Sequence, residues 1–204
     1  MATTAYPTEP VYVHNGSWND TSRKHPAMGW LETYTKTAID GKLFDKPAER
    51  SKWMSDDRKY SVSSQTRRSI LTKATPDVLV KSTGEVRNGG DASWEAISKE
   101  LYAPFKEHLH SPTYATAVQT GSNTWELTGL ATLFWKLQVP GQGHNIADPS
   151  GKTWDGAIPS AFKFAFREEG GQIRISRTEI SSDPSAALVA MLKTGMLKPE
   201  DLMK

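Results

Sequence analysis

Residues 108–139 read HLHSPTYATAVQTGSNTWELTGLATLFWKLQV, and the alternation that sets in along this stretch decides the fold. Thr113 to Val118 is strand-like, and Thr120-Gly121-Ser122-Asn123 reads as a hairpin turn. From Trp125 to Val139 the alternation is sustained. Trp125, Leu127, Gly129, Ala131, Leu133, Trp135 and Leu137 share one face, and Glu126, Thr128, Leu130, Thr132, Phe134, Lys136 and Gln138 share the other. A strand this long has to bend, and Gly129 is the expected position of the bulge.

Upstream the period is helical. Pro26 suits a first turn, and Ala27, Trp30, Leu31, Tyr34 and Ala38 recur at spacings of three and four, which predicts a helix over about 26–40 stopped by Gly41. Asp45 is expected to cap a short helix from Ala48 to Met54, and Tyr60 to Ser63 reads as a short strand. Asp91 or Ser93 caps the next helix, whose apolar face runs through Trp94, Ile97, Leu101, Phe105 and His108, with a kink or break at Pro104. Between these helices, residues 65–92 form an excursion and a candidate lid, with a small strand or helical turn at Val78–Lys81 and a turn at Asn88-Gly89-Gly90. Residues 1–25 read as an irregular arm that Tyr6, Tyr12 and Trp18 can pin to the domain or to a neighbouring subunit.

Downstream, residues 140–158 read as a loop. Phe162, Phe164 and Phe166 alternate on a strand, Glu168-Glu169-Gly170-Gly171 turns the chain, and Gln172 to Ile180 returns. Asp183-Pro184 opens a helix with Ala187, Leu188, Met191 and Leu192 on its apolar stripe and Gly195 as its stop, making 184–204 a C-terminal helical extension. Helices, then an antiparallel meander, then a helix give an α+β domain over 26–183, with a curved sheet of four to six strands.

Composition narrows the functions. The 204 residues carry 25 Lys+Arg against 23 Asp+Glu, a net charge of +2, which argues against a broad electrostatic grip on nucleic acid. The absence of cysteine excludes a disulfide scaffold, a cysteine-ligated metal and a thiol nucleophile. The N-terminus lacks the basic start and apolar core of a signal peptide, and no run approaches the ~18 apolar residues of a membrane span, so a cytoplasmic protein without a membrane role is expected.

Three pieces together resemble the NTF2-like superfamily, in particular its SnoaL-like polyketide cyclase and scytalone dehydratase-like branch. They are Ile39-Asp40-Gly41-Lys42-Leu43-Phe44-Asp45 at the end of the first helix, His108-Leu109-His110-Ser111-Pro112-Thr113-Tyr114 at the entry to the strands, and Phe162–Phe166 with the Gly-rich turn and Ile173-Arg174-Ile175. Gln172 stands where the family usually has an aromatic residue. The resemblance implies a cone, a curved sheet wrapped around N-terminal helices with an apolar cavity at one end, and pairing into a homodimer through the outer sheet face. It also implies cofactor-free acid–base chemistry on a small apolar polyketide- or terpenoid-like metabolite of secondary metabolism: cyclisation, isomerisation or dehydration. A non-catalytic binder and a protein-interaction module are the alternatives, since fold does not decide function.

The resemblance puts a pocket histidine at the helix-to-strand junction. His110 is favoured over His108, which continues the helix's apolar face, and both can equally be plain junction residues. Asp40 and Tyr34 are expected beside His110 as orienting and hydrogen-bond-donating groups, against plain readings as an exposed helix end and a core residue. Seven Trp, six Phe and six Tyr suit a cavity for a flat ligand, with Trp30, Trp94, His108, Tyr114, Phe134 and Phe164 as candidate contacts; His144 and Asp155 lie in the Gly-rich loop at the expected mouth. Two histidines at i, i+2 can also ligate a metal, but no HExxH-like carboxylate pattern accompanies them, so no metal and no cofactor are expected.

Overall fold

The structure is a computed structural model that describes residues 11–54, 78–81, 84–141 and 145–203. The strand expected at Tyr60 to Ser63 lies outside the described residues, as does the start of the excursion.

The chain opens with strand β1 (Val11–Asn15) and a short helix α1 (Asp20–Arg23). Helix α2 (Pro26–Tyr34) continues through a π turn at Thr35–Ile39, and α3 (Arg50–Trp53) follows. Strands β2 (Val78–Val80) and β3 (Val86–Asn88) precede helix α4 (Gly90–Ala96), which also ends in a π turn, Ile97–Leu101. Then come the long strands β4 (Phe105–Gly121) and β5 (Thr124–Leu137). The small strands β6 (Ile146–Ala147) and β7 (Thr153–Trp154) follow. Two more long strands, β8 (Gly156–Glu169) and β9 (Gln172–Ser182), lead to helix α5 (Ser185–Lys193).

The main sheet has seven strands in the order β1-β4-β5-β8-β9-β2-β3, with every neighbouring pair antiparallel except β2 and β9. The α+β cone is therefore present, with more strands than expected. Val11, Tyr12 and Val13 favour extended backbone and cover the open edge of β4, so this part of the N-terminal segment is a strand and not an irregular arm. The excursion likewise ends as a hairpin, β2–β3, laid against the opposite edge.

One face of the sheet is hydrophobic because β5 alternates as read: Trp125, Leu127, Ala131, Leu133, Trp135 and Leu137 are all buried. Against these residues other than Ala131 pack Ala27, Met28, Leu31 and Tyr34 of α2 with Trp94, Ala96 and Ile97 of α4 and its π turn, in one contiguous core. Two corrections concern β4. The strand begins at Phe105, immediately after Pro104, so His108 is a strand residue and not the end of a helix face. The bulges lie on β4, at Lys106, Thr113 and Thr120, and not at Gly129; at Thr113, β4 carries one residue more than β5 between the pairs Pro112–Ala131 and Tyr114–Leu130. Pro112 has no N–H to give to the ladder, which is why the register slips beside it.

Gly129 answers a different need. A Cβ there would sit 2.4 Å from the Tyr114 carbonyl oxygen and 2.6 Å from Phe162 Cζ, so the glycine lets the strand and the Phe162 ring approach. The presumed loop at 140–158 contains the hairpin β6–β7, organised by Asp148. Its carboxylate accepts from the Ser150 hydroxyl and backbone N–H, the Lys152 N–H and the Trp154 indole, and the Ser150 and Trp154 bonds hold its pKa down to about 2. This hairpin seats Trp154 over Phe134 on the outer face, with ring centroids 6.3 Å apart. No helix among the described residues is long and apolar enough to cross a membrane.

Gly129→Ala must displace backbone and is expected to destabilise the domain by roughly 1–3 kcal/mol. The midpoint of urea unfolding should fall with an unchanged slope, and an unchanged midpoint would remove the close-approach argument.

Candidate active site

Helices α2 and α4 end in the same way. Each closes with a π turn, in which the backbone N–H reaches five residues back: Asp40 N–H to the Thr35 carbonyl at 2.8 Å, and Tyr102 N–H to the Ile97 carbonyl at 3.2 Å. A π turn inserts one residue into the helical phase, so the side chain that follows is turned by about one residue's rotation, ~100°. The two residues delivered in this way, Asp40 and Tyr102, both meet His110 of β4.

His110 Nδ1 lies 2.7 Å from Asp40 Oδ1, and the His110 backbone N–H donates to Asp40 Oδ2 at 3.2 Å. On the other side of the ring, Tyr102 Oη lies 3.0 Å from Nε2. The protons follow from the partners. A carboxylate only accepts, so Nδ1 carries the hydrogen and Nε2 keeps its lone pair. Burial pushes the Tyr102 phenol well above its ordinary pKa, with the Asp40 charge adding to the effect, so Tyr102 retains its proton and donates it to Nε2. Asp40, His110 and Tyr102 thus form one directed chain of hydrogen bonds.

His108 stands behind this chain. Its side chain is fully buried, stacked on Tyr102 with centroids 4.6 Å apart, and its Nε2 lies 3.1 Å from the Ile39 carbonyl oxygen and 3.7 Å from Asp40 Oδ1. Facing two acceptors, Nε2 carries the proton. Nδ1 is buried without a hydrogen-bond partner among the described residues. A second proton there would have no acceptor. Burial accordingly drives the His108 pKa down to about 4, with the neighbouring His110 lowering it further. One ligand atom from each of Asp40, His108 and His110 lies within 4.8 Å of the others, so the residues of this hydrogen-bonded network also have the spacing of a three-ligand metal set.

The chain of hydrogen bonds borders a cavity of about 330 Å³. Tyr34, Tyr102 and His110 line it, together with Phe162 and Phe164 of β8, Thr178 of β9, Trp18 from the segment after β1, and Leu188 and Met191 of α5. The sequence therefore brings together His110, Asp40, Tyr34 and Phe164: three on the cavity wall, and Asp40 behind His110. The phenol bonded to His110, however, is Tyr102. Tyr34 is fully buried, stacked on Trp30, and burial raises its pKa as well.

Several expected contacts lie elsewhere. Trp30 is engaged with Tyr34, Trp53 and Phe166 in an aromatic cluster. Trp94 donates its indole N–H to the Phe44 carbonyl at 3.0 Å and belongs to the core. His108 supports the site from behind and does not line the cavity. Tyr114 and Phe134 point to the outer face, the first exposed beside the bulge and the second under Trp154. Asp155 accepts from the Leu137 backbone N–H at 2.9 Å and so fixes a strand end. His144 lies outside the described residues. Tyr102 escaped the sequence reading because it falls off the three- and four-residue spacing of Trp94, Ile97 and Leu101; the π turn that shifts the phase leaves no mark on composition.

No family model matches the sequence, and no curated protein matches it. Solved structures do. One is a Streptomyces avermitilis protein of the NTF2-like family, described as a candidate dehydratase: 13% identical over 80% of this chain and 97% of that one, with a TM-score of 0.54. The protein has the NTF2-like fold. The same NTF2-like cone is shared with Aln2 from a Streptomyces species, at 12% identity, 80% and 93% coverage and a TM-score of 0.52. It is shared also with a type 2 hexachlorocyclohexane dehydrochlorinase (LinA), at 11% identity, 81% and 90% coverage and a TM-score of 0.51.

The His108 environment sets a pH dependence of stability. The unfolded histidine takes a proton near pH 6.5, the folded one only near 4, so the stabilisation is intact above 6.5 and is lost as the pH falls from there toward 4. The loss amounts to about 3 kcal/mol from this group. His108→Gln should lower stability at neutral pH yet flatten the decline between pH 6.5 and 4, as followed by urea unfolding across pH. An equally steep decline in the variant would place its origin elsewhere.

Proposed function

We propose that this protein is a cofactor-independent enzyme that removes and returns a proton next to a carbonyl or hydroxyl of a small apolar metabolite, as a cyclase, isomerase or dehydratase of biosynthesis, with His110 as the base. The observation that carries this reading is the single directed chain Asp40–His110–Tyr102 on the wall of an otherwise mostly apolar cavity.

Asp40 holds the His110 ring and stabilises the imidazolium that forms when Nε2 takes the proton. The Tyr102 phenol, protonated at any physiological pH, turns its hydrogen bond from Nε2 to the substrate oxygen as the substrate settles. This frees the lone pair and stabilises the developing enolate. Tyr34 offers a second protonated phenol on the same wall. Desolvation by the surrounding Leu31, Ile39, Leu133 and Phe162 strengthens each of these interactions. Elimination, isomerisation and aldol-type ring closure all begin with this proton transfer, and the neighbours named as a dehydrochlorinase and a candidate dehydratase support a reading of this kind.

The test is solvent deuterium exchange followed by NMR across a panel of apolar ketones and β-hydroxy ketones. Wild-type protein should catalyse exchange next to the carbonyl of some members, and His110→Ala should lose about 10²–10⁴-fold of that rate while keeping its fold. Exchange that survives in His110→Ala overturns the assignment. Wild-type protein that binds panel members without exchanging them would make the site a binding pocket, which the occupation of Nε2 by Tyr102 also allows.

A further inference from the structure

Among the described residues, the cavity wall is apolar except for the His110 group, a few hydroxyls, and one charged pair that the proposed chemistry does not use: Lys81 and Glu100. Lys81 directly follows β2, and Glu100 belongs to the π turn of α4. The lysine side chain is only 14% exposed, and its Nζ lies 2.6 Å from Glu100 Oε2 and also pairs with Glu85. Arg87 of β3 meets the same two carboxylates, with a guanidinium nitrogen 3.1 Å from Glu100 Oε1. Each carboxylate therefore has a second cation. Lys81 can leave Glu100 without stranding a charge, because Arg87 stays on it. The Glu100 side chain is 38% exposed, so the pair lies at the open side of the cavity, where the carboxylate also keeps its contact with water when the lysine leaves.

The position of Lys81 is as informative as its partners. Strand β2 lies beside β9, with Leu79 opposite Thr178 and Val80 opposite Glu179, and Thr178 and Ile180 are cavity wall. Across the sheet, His110 is opposite Leu133, and Leu133 opposite Ile158. Four strand spacings separate β4 from β2, about 19 Å along the sheet and less across its curve. The base and the lysine therefore stand at opposite sides of the same cavity, with Phe162 and Phe164 between them.

We infer that Lys81 binds an oxyanion, a carboxylate or a group of like charge and shape, carried by the ligand at the end remote from its reacting carbon; the ligand oxyanion takes the place that Glu100 holds in this structure. The substrate class is then an amphiphile, apolar along its body and anionic at one tip. This inference rests on the cavity being the ligand site, as proposed above, and adds to it the hairpin β2–β3 as the element that brings the cation.

Two fluorescent probes with one ring skeleton test it: anilinonaphthalene sulfonate, and the uncharged anilinonaphthalene that lacks the sulfonate. Wild-type protein should bind the sulfonate roughly tenfold more tightly than the neutral probe, in keeping with a hydrogen bond to a charged group. Lys81→Met should erase that preference and leave the neutral probe's affinity as it was. Glu100→Gln should strengthen sulfonate binding by removing the competing carboxylate. A preference that persists in Lys81→Met, or equal binding of the two probes by wild-type protein, overturns the role of Lys81 while leaving the cavity as a ligand site. If Lys81→Met does not fold, Glu100→Gln decides, and an unchanged sulfonate affinity counts against the inference. Failure of both probes to bind wild-type protein would instead remove the ligand-site reading on which the inference stands.

Discussion

The hydrogen bond between Asp40 and His110 is the contact on which the site depends. It joins the end of a helix to a strand 70 residues later, and both partners need the geometry around them. Asp40 faces β4 because a π turn adds a residue to the end of α2, and Tyr102 faces the same ring because a π turn does the same at the end of α4. Opposite ends of one imidazole are thus held by two helices that reach it with the same local device. The backbone N–H of His110 also donates to Asp40, so the carboxylate is tied to the strand as well as to the ring.

The rest of the fold keeps this arrangement dry and in register. The buried face of β5 supplies the floor, and the bulge beside Pro112 falls just after His110, where β4 changes its pairing with β5. His108 fills the space behind the dyad as a neutral ring clamped by the Ile39 carbonyl and stacked on Tyr102, with Phe44 beside them both. Its proton on Nε2 faces Asp40 from the back, and its bare Nδ1 is buried. Charging it would put a second proton on the buried Nδ1, where no acceptor among the described residues meets it, so the acid sensitivity of the fold arises directly behind the dyad.

Much of this was legible in the residues. The alternation from Trp125 to Leu137 marked the buried face, and the helical spacing before it put α2 where it lies. His110 and Asp40 could be named only through the ordered resemblance, because their meeting is a tertiary event with no local signal. Four kinds of feature were not legible. The π turns shift helical phase by one residue without a compositional mark, which hid Tyr102. The strand that begins at Phe105 looked like a continued helix because Phe105 and His108 keep a spacing of three, and only pairing with Leu137 and Trp135 settles their state. The outer aromatics Tyr114 and Phe134 read as pocket residues because sequence shows which residues share a face, but not what covers it. The short hairpin that carries Trp154 onto Phe134 is held by Asp148, a local network visible only once folded.

Asp40 holds His110 as the tautomer with its hydrogen on Nδ1, leaving Nε2 as the basic atom toward Tyr102 and the cavity. Nitrogen NMR of the histidine rings in the folded protein reads this directly. At neutral pH the His110 Nδ1 should show the signature of a protonated ring nitrogen and Nε2 that of an unprotonated one. Asp40→Asn, which can offer its own N–H to the ring, should disturb that pattern. A His110 with its hydrogen on Nε2 in the wild-type protein would contradict the account.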